Sequence, residues 1–231
     1  MISASAFTGG TVTAITAQRM RRDRVNVYVD DQFAFALAAD VAASALLRIG
    51  DLLDAGTLDS LFERERFQTA FNQACHLLSF RPRSEREVRQ HLAKASPDPD
   101  LVDRVVARLK ELKFVDDTAF ARFWVENRAA FRPRGARALA HELRLKGVQS
   151  DVSQDILEEA PDEEDGAYRA AAKKARALAT LDEGAFRQRL SAFLLRRGFD
   201  YGVVSATVTR LRREHELADN DDDFETESDN S

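Results

Sequence analysis

The sequence predicts a mainly α protein: three tandem three-helix repeats in a curved array, preceded by a small N-terminal antiparallel β-sheet and followed by a disordered acidic tail. Three observations carry this expectation. The tetrapeptide FRPR stands at Phe80–Arg83 and again at Phe131–Arg134, 51 residues on. Apolar residues recur in the same register through three copies. Before the first copy the hydrophobic period is two, and after Arg213 apolar residues nearly vanish. The expected division is 1–55 for the sheet extension with a short helix, 56–115, 116–160 and 161–213 for the repeats, and 214–231 for the tail.

In the N-terminal segment, TVTAITAQ, RVNVYVD and QFAFAL alternate apolar with polar or small residues and are rich in β-branched and aromatic side chains, as half-buried strands require. Asp30-Asp31 makes the short turn between the last two. A helix is expected near Ala38–Leu47, and the Gly50–Gly56 stretch leads into the first repeat.

In the repeats, Val88 maps to Leu139 and Leu190, and Leu92 to Leu143 and Leu194. Leu101 maps to Val152 and Val203, Val106 to Leu157 and Val208, and Ser96 to Gly147 and Gly198. This register is expected without a gap. Each repeat then reads as three helices. The first helices carry Phe67, Ala70, Phe71, Ala74 and Leu78; Phe120, Phe123 and Trp124; and Tyr168, Ala171, Ala175 and Leu178. The second carry the Val88–Leu92 type of pair, four apart on one face. Ser84-Glu85-Arg86-Glu87 has the form of a capping box. Asp98 before Pro99 reads as a cap followed by a proline at the first helical position. Gly147 and Gly198 stand where a helix end takes a left-handed residue. FRPR therefore lies on the turn between first and second helices, with each proline holding the preceding Arg extended.

Charge is uneven. Nine of the 39 acidic residues follow Arg213 and none of the 34 basic ones does, so a chain of net charge −5 has a body of about +4. The tail cannot offset its own ordering entropy. One cysteine, Cys75, allows no internal disulfide and suits a reducing compartment, and the N-terminus lacks the form of a secretory signal. No stretch approaches the ~20 apolar residues of a membrane span. A cytoplasmic monomer is expected.

The residues that suggest chemistry have simpler roles. His76, His91, His141 and His215 have no metal-ligand spacing. Asp116-Asp117 precedes an apolar helix and reads as a cap, and no glycine-rich phosphate loop or activated nucleophile is present. No enzyme, metal or cofactor is expected. Trp124, Phe120 and Phe123 have core spacing. The basic residues are more informative. Arg81, Arg83, Arg132 and Arg134 flank the two prolines, and Arg137, His141 and Arg144 form a stripe opposite Leu139 and Leu143, with Lys146 beside it. The third repeat adds Lys173, Lys174, Arg187, Arg189, Arg196 and Arg197, and the first hairpin Arg19, Arg21, Arg22 and Arg24. Cations repeated on one kind of turn form an electrostatic track for phosphates or an acidic groove. The sites expected to bind are Arg81, Arg83, Arg132, Arg134, Arg137, Arg144, Lys146, Arg196 and Arg197.

The segments LLSFRPRSEREVRQHL, LKELKFVDDTAFARFWVENR and ELRLKGV resemble the RecX family, regulators of the RecA recombinase. The family's Arg-x-Arg-Ser-x-x-Glu helix start matches Arg81–Glu87 with one residue's tolerance, and its Phe-Val-Asp-Asp-x-x-Phe-Ala run is intact from Phe114 to Ala121. TAITAQRMRRDRVNVYVDDQFAFAL resembles the N-terminal β extension of some members, and the similarity covers roughly residues 11–213. The acidic tail lies outside the family pattern. The resemblance implies binding along the RecA–DNA filament with suppression of ATP hydrolysis and strand exchange, hence a part in DNA repair, recombination and the SOS response. Single- and double-stranded DNA are carried as further candidate partners. The alternative is a general nucleic-acid-binding helical array independent of RecA. The arginines are assigned from charge and placement alone.

Overall fold

The structure, a computed structural model, describes residues 9–160 and 162–228, with side chains described through Leu217. Among these residues are four strands, β1 (Gly10–Ala17), β2 (Arg24–Val29), β3 (Gln32–Ala38) and β4 (Leu52–Leu53). They are joined by ten helices: α1 (Ala39–Ser44), α2 (Ala55–Phe80), α3 (Glu85–Ala95), α4 (Pro99–Glu111), α5 (Asp117–Phe131), α6 (Ala136–Leu145), α7 (Ser150–Glu158), α8 (Glu163–Arg176), α9 (Glu183–Arg196) and α10 (Tyr201–Ser228). The expected sheet and three sets of three helices are therefore present. The chain divides into two compact units, one running to Arg81 and resuming at Glu87–Val115, the other made of Pro82–Arg86 and the chain from Asp116.

The first unit contains an antiparallel sheet of order β3-β2-β1-β4. Asp30 and Asp31 both have positive φ, 46° and 65°, as a tight hairpin turn between right-twisted strands requires. Strand β4 was not legible in the sequence: two residues are too short to show a period. Val12, Val27, Val29, Phe35, Leu37 and Leu53 point to one side and are covered by Val41, Leu58 and Leu61. Helix α2 is long enough to serve two cores. Leu58 and Leu61 cover the sheet, while Ala70 and Ala74 pack with Val88 and Leu92 of α3 and with Val102, Val105, Val106 and Leu109 of α4. Glu65, midway along α2, accepts the Ala38 amide at 2.6 Å and pairs with Arg24 at 2.7 Å, so one carboxylate holds the sheet to the helix.

Asp98 caps α4 by accepting the Leu101 amide at 3.2 Å, with Pro99 in the first turn, as expected. Arg81 closes α2 in extended conformation, φ −169° and ψ 161°. Arg132 is less extended, φ −148° and ψ 73°, and its amide still bonds Arg128.

In the second unit, α5, α6 and α7 close around Phe120, Ala121, Val125, Leu139, Leu143 and Ile156. Helices α8, α9 and α10 close around Ala167, Ala171, Ala175, Phe186, Leu190, Leu194, Val204 and Val208. The expected Val88–Leu139–Leu190 and Leu92–Leu143–Leu194 sets are all buried.

Two refinements of the register follow. In the third helices the buried sets are Val102–Ser153–Val204 and Val105–Ile156–Thr207, while Val152 and Val203 are half-buried. Ser153 and Thr207 are polar at core positions, which hid this phase from an apolar pattern. Ser153 satisfies its hydroxyl locally, donating to the Ser150 carbonyl at 2.9 Å. In the first helices, Ala70 and Ala121 are followed by Ala171 rather than Ala172, and Ala74 and Val125 by Ala175. The register is thus one residue short at α8, and the expectation of no gap fails there. The tail expectation, 214–231, falls largely outside the residues whose side chains are described. At its start the chain continues as α10: Glu214 and Glu216 pair with Arg210 and Arg212, one turn back.

Candidate anion-binding surface

Within the second unit one junction is built twice at the 51-residue interval. At the first, the Ser84 hydroxyl donates to the Lys146 carbonyl at 2.7 Å, and Gly147 passes so close to Arg86 that a Cβ there would lie 2.8 Å from that of Arg86. At the second, the Gly135 amide donates to the Arg197 carbonyl at 3.1 Å, and a Cβ on Gly198 would lie 2.5 Å from that of Ala138. Ser84 and Gly135 correspond, as do Lys146 and Arg197, and Gly147 and Gly198. Both glycines have positive φ, 86° and 85°. The FRPR turn and the glycine after the second helix are therefore two halves of one joint.

The Phe114–Ala121 run serves the same region. Val115 and Phe120 are buried; Asp116 caps α5 by accepting the amides of Thr118 and Ala119 at 2.9 and 3.0 Å; and the Asp117 carboxylate accepts the Glu85 amide at 2.8 Å, at the start of α3. Asp116 is the expected cap of the following helix, whereas Asp117 reaches back to the start of α3. Among the described residues no group of three His, Cys, Asp or Glu side chains is placed to hold a metal ion.

The expected cations fall into two sets. Arg81 is paired with Glu87 through two contacts of 3.0 and 3.3 Å. Arg134 binds Glu142 at 3.1 Å. The Arg197 guanidinium stacks 4.6 Å from the centre of the Phe193 ring and donates to the Pro133 carbonyl at 3.3 Å. Its pKa is lowered by burial first and by the neighbouring Arg134 charge second. The Lys146 ammonium lies 5.0 Å from the centre of the Trp124 ring. Arg83 is half-buried, with its Nε enclosed and without a hydrogen-bond partner. Several of the candidate cations are therefore engaged in holding the turns.

The second set stands outward. Arg132, Arg137, Arg144 and Arg196 are exposed. Arg137, His141 and Arg144 follow one another up α6, with Leu139 and Leu143 buried behind them. They wall an open groove of about 700 Å³, faced across α7 by Ser150, Gln154 and Glu158. The Arg144 guanidinium lies 2.8 Å from His141 Nδ1, one turn back on the same stripe. A basic stripe along an open trough is suited to a row of phosphates or carboxylates.

Glu142 was not singled out from the sequence, and it organises the region. Its carboxylate accepts the Trp124 indole N–H at 2.7 Å, pairs with Arg128 at 2.8 Å and with Arg134 at 3.1 Å, and is largely buried. Trp124 is half-buried against Phe120 and flanked by the Arg128 guanidinium at 4.6 Å. The sequence carried no signal for this, because Trp124 and Arg128 are 18 and 14 residues away, Arg134 lies across a turn, and no short period links them.

Four stretches of the chain match family models. Residues 10–54 match the regulatory protein RecX N-terminal domain, and 70–109, 116–157 and 162–208 match the first, second and third three-helix domains of RecX. The chain is 31% identical over 221 residues to the regulatory protein RecX of Bacillus subtilis, covering 94% of this chain and 81% of the relative. It is 29% identical over 206 residues to that of Clostridium perfringens, covering 87% and 96%. In fold it is similar to a crystal structure of regulatory protein RecX, with a TM-score of 0.71 at 24% identity over 85% of this chain. It is also similar to RecX from Lactobacillus salivarius, with a TM-score of 0.59 at 20% identity over 64%.

Proposed function

The chain belongs to the RecX family, and from that premise we propose that it is a non-enzymatic regulator of the RecA recombinase that docks along the RecA–DNA filament and suppresses ATP hydrolysis and strand exchange. It acts in the cytoplasm, as a monomer, in DNA repair, recombination and the SOS response. No helix among the described residues is long and apolar enough to cross a membrane.

The observation that carries the reading is the family match joined to the doubled junction. The junctions fix the turns and helix ends from which exposed arginines project, and a nucleoprotein filament offers the anionic surface that suits them. The proposed contacts are the outward cations Arg132, Arg137, Arg144 and Arg196. Arg81, Arg83, Arg134, Lys146 and Arg197 support the turns that present them.

The test is RecA-catalysed ATP hydrolysis on single-stranded DNA, titrated with the protein at sub-stoichiometric ratios. A fall in rate is expected; a rate unchanged across the titration would sink the proposal. The second reading, general nucleic-acid binding without RecA, is favoured by the positive body of the chain. It requires tight, steeply salt-dependent binding to bare DNA at physiological salt. Strong filament binding beside weak bare-DNA binding rejects it.

A further inference from the structure

The loop joining β1 to β2 reads Gln18-Arg19-Met20-Arg21-Arg22-Asp23, and it is unlike any other turn in the molecule. Arg19, Met20, Arg21 and Arg22 are all exposed, and Met20 is 97% exposed, the highest value among the large apolar side chains. Its base is rigid. The Gln18 amide donates to the Arg24 carbonyl at 3.0 Å, the Gln18 side chain donates to Asn26 at 2.8 Å, and the Asp23 carbonyl accepts the Ala39 amide at 2.8 Å. Arg24 is removed from the tip altogether, held by Glu65 and the Ala36 carbonyl. Opposing charge is slight: Asp23 approaches Arg21 only to 4.0 Å, with both side chains about two-thirds exposed.

We propose that this hairpin is a DNA-binding arm, in which Arg19, Arg21 and Arg22 straddle duplex phosphates while Met20 wedges between neighbouring base pairs from the minor groove. The occupant follows from chemistry. One apolar side chain encircled by guanidinium groups offers no contiguous patch for a protein interface. It is also too little apolar surface to hold a lipid bilayer. A basic tip with a single unbranched, polarisable side chain is what enters a base step: arginine fits phosphate and narrow grooves, and methionine slides between bases without a branched shoulder. The contact falls on flexible pyrimidine–purine steps, which unstack most readily. It is independent of the filament reading and of modest affinity, measurable at low salt.

The experiment uses the full chain and a short duplex carrying 2-aminopurine at a central TA step, without RecA. Binding is expected to raise 2-aminopurine fluorescence as the step unstacks. Met20→Ala is expected to bind with the same salt dependence and abolish the rise. Arg19→Ala/Arg21→Ala/Arg22→Ala is expected to lower the slope of log affinity against log salt by about 2 to 3. All four side chains stand clear of the core, so the fold survives these changes. No binding to the duplex at low salt, an unchanged slope in the arginine variant, or an undiminished fluorescence rise with Met20→Ala would each overturn the proposal. So would an arginine variant that loses filament binding but keeps duplex binding, since the arm would then face protein.

Discussion

A Cβ on Gly198 would stand 2.5 Å from the Cβ of Ala138 and 2.6 Å from its amide nitrogen. At the equivalent joint the obstacle to a Cβ on Gly147 is the Arg86 side chain, at 2.8 to 3.4 Å. Both sites carry the left-handed backbone cost of an alanine, ~1–2 kcal/mol. At Gly198 the clash with backbone adds overpacking of ~1–3 kcal/mol, whereas much of the Arg86 side chain can swing aside. Gly198→Ala is therefore expected to destabilise the chain more than Gly147→Ala in urea unfolding. Ala138→Gly is expected to restore part of the loss at Gly198, only part because the amide nitrogen remains. Equal effects at both glycines would show that the joint is not built as described.

Glu142 joins three partners through one carboxylate. Replacing it with alanine leaves the Trp124 N–H, Arg128 and Arg134 without their shared acceptor, at a cost of ~2–4 kcal/mol. Arg134→Ala is expected to cost under ~1 kcal/mol, since its side chain is 43% exposed. Trp124 is the chain's single tryptophan, so its fluorescence should shift in the Glu142 variant before unfolding begins and report the unfolding itself.

Binding and stability separate at the outward arginines. Arg132→Ala with Arg196→Ala is expected to weaken filament binding while moving stability by no more than ~0.5 kcal/mol per site. A thermal transition lost together with binding would place these residues in the structure rather than the interface.

The clasp between α8 and α10 supplies a pH dependence. The Tyr168 hydroxyl donates to Glu214 at 2.8 Å, and Arg210 pairs with the same carboxylate at 3.0 Å. The Tyr168 bond is the main cause holding the Glu214 pKa below its ordinary 4.5; partial burial opposes it and Arg210 adds to the lowering. The same bond raises Tyr168 above 10.0. A lowered carboxylate stabilises above its unfolded value, and that contribution disappears as pH falls through the folded one. A raised tyrosine stabilises below its unfolded value and loses that contribution as pH rises through the folded one. The clasp therefore holds between these limits and opens beyond both. Amide protection across residues 210–217, taken relative to intrinsic exchange at each pH, should fall in acid, and Glu214→Gln should flatten the acid limb. Tyr168 is half-buried and Glu214 is exposed at the surface, where screening by solvent is strong, so global stability should respond only weakly.

The periodic features were legible in the sequence because core positions repeat. Val88, Leu139 and Leu190 are all buried, and Asp98, Gly147 and Gly198 have the local chemistry of caps. What stayed hidden has no period. Ser153 and Thr207 fill apolar positions, Ala171 sits one residue out of step, and β4 is two residues long. The candidate site was half legible. Its cations could be counted, but whether an arginine faces solvent depends on a carboxylate brought up from elsewhere in the chain. Glu142 for Arg134 and Glu87 for Arg81 are visible only once the helices are packed.

Imaging RecA filaments on single-stranded DNA at low resolution, with the protein bound, shows whether the outward cations lie along the filament. Added density following the filament groove is expected, lost when Arg132, Arg137, Arg144 and Arg196 are all changed to alanine in a chain that still folds. Bare filaments in the presence of excess protein, or density unaffected by the four substitutions, would contradict it.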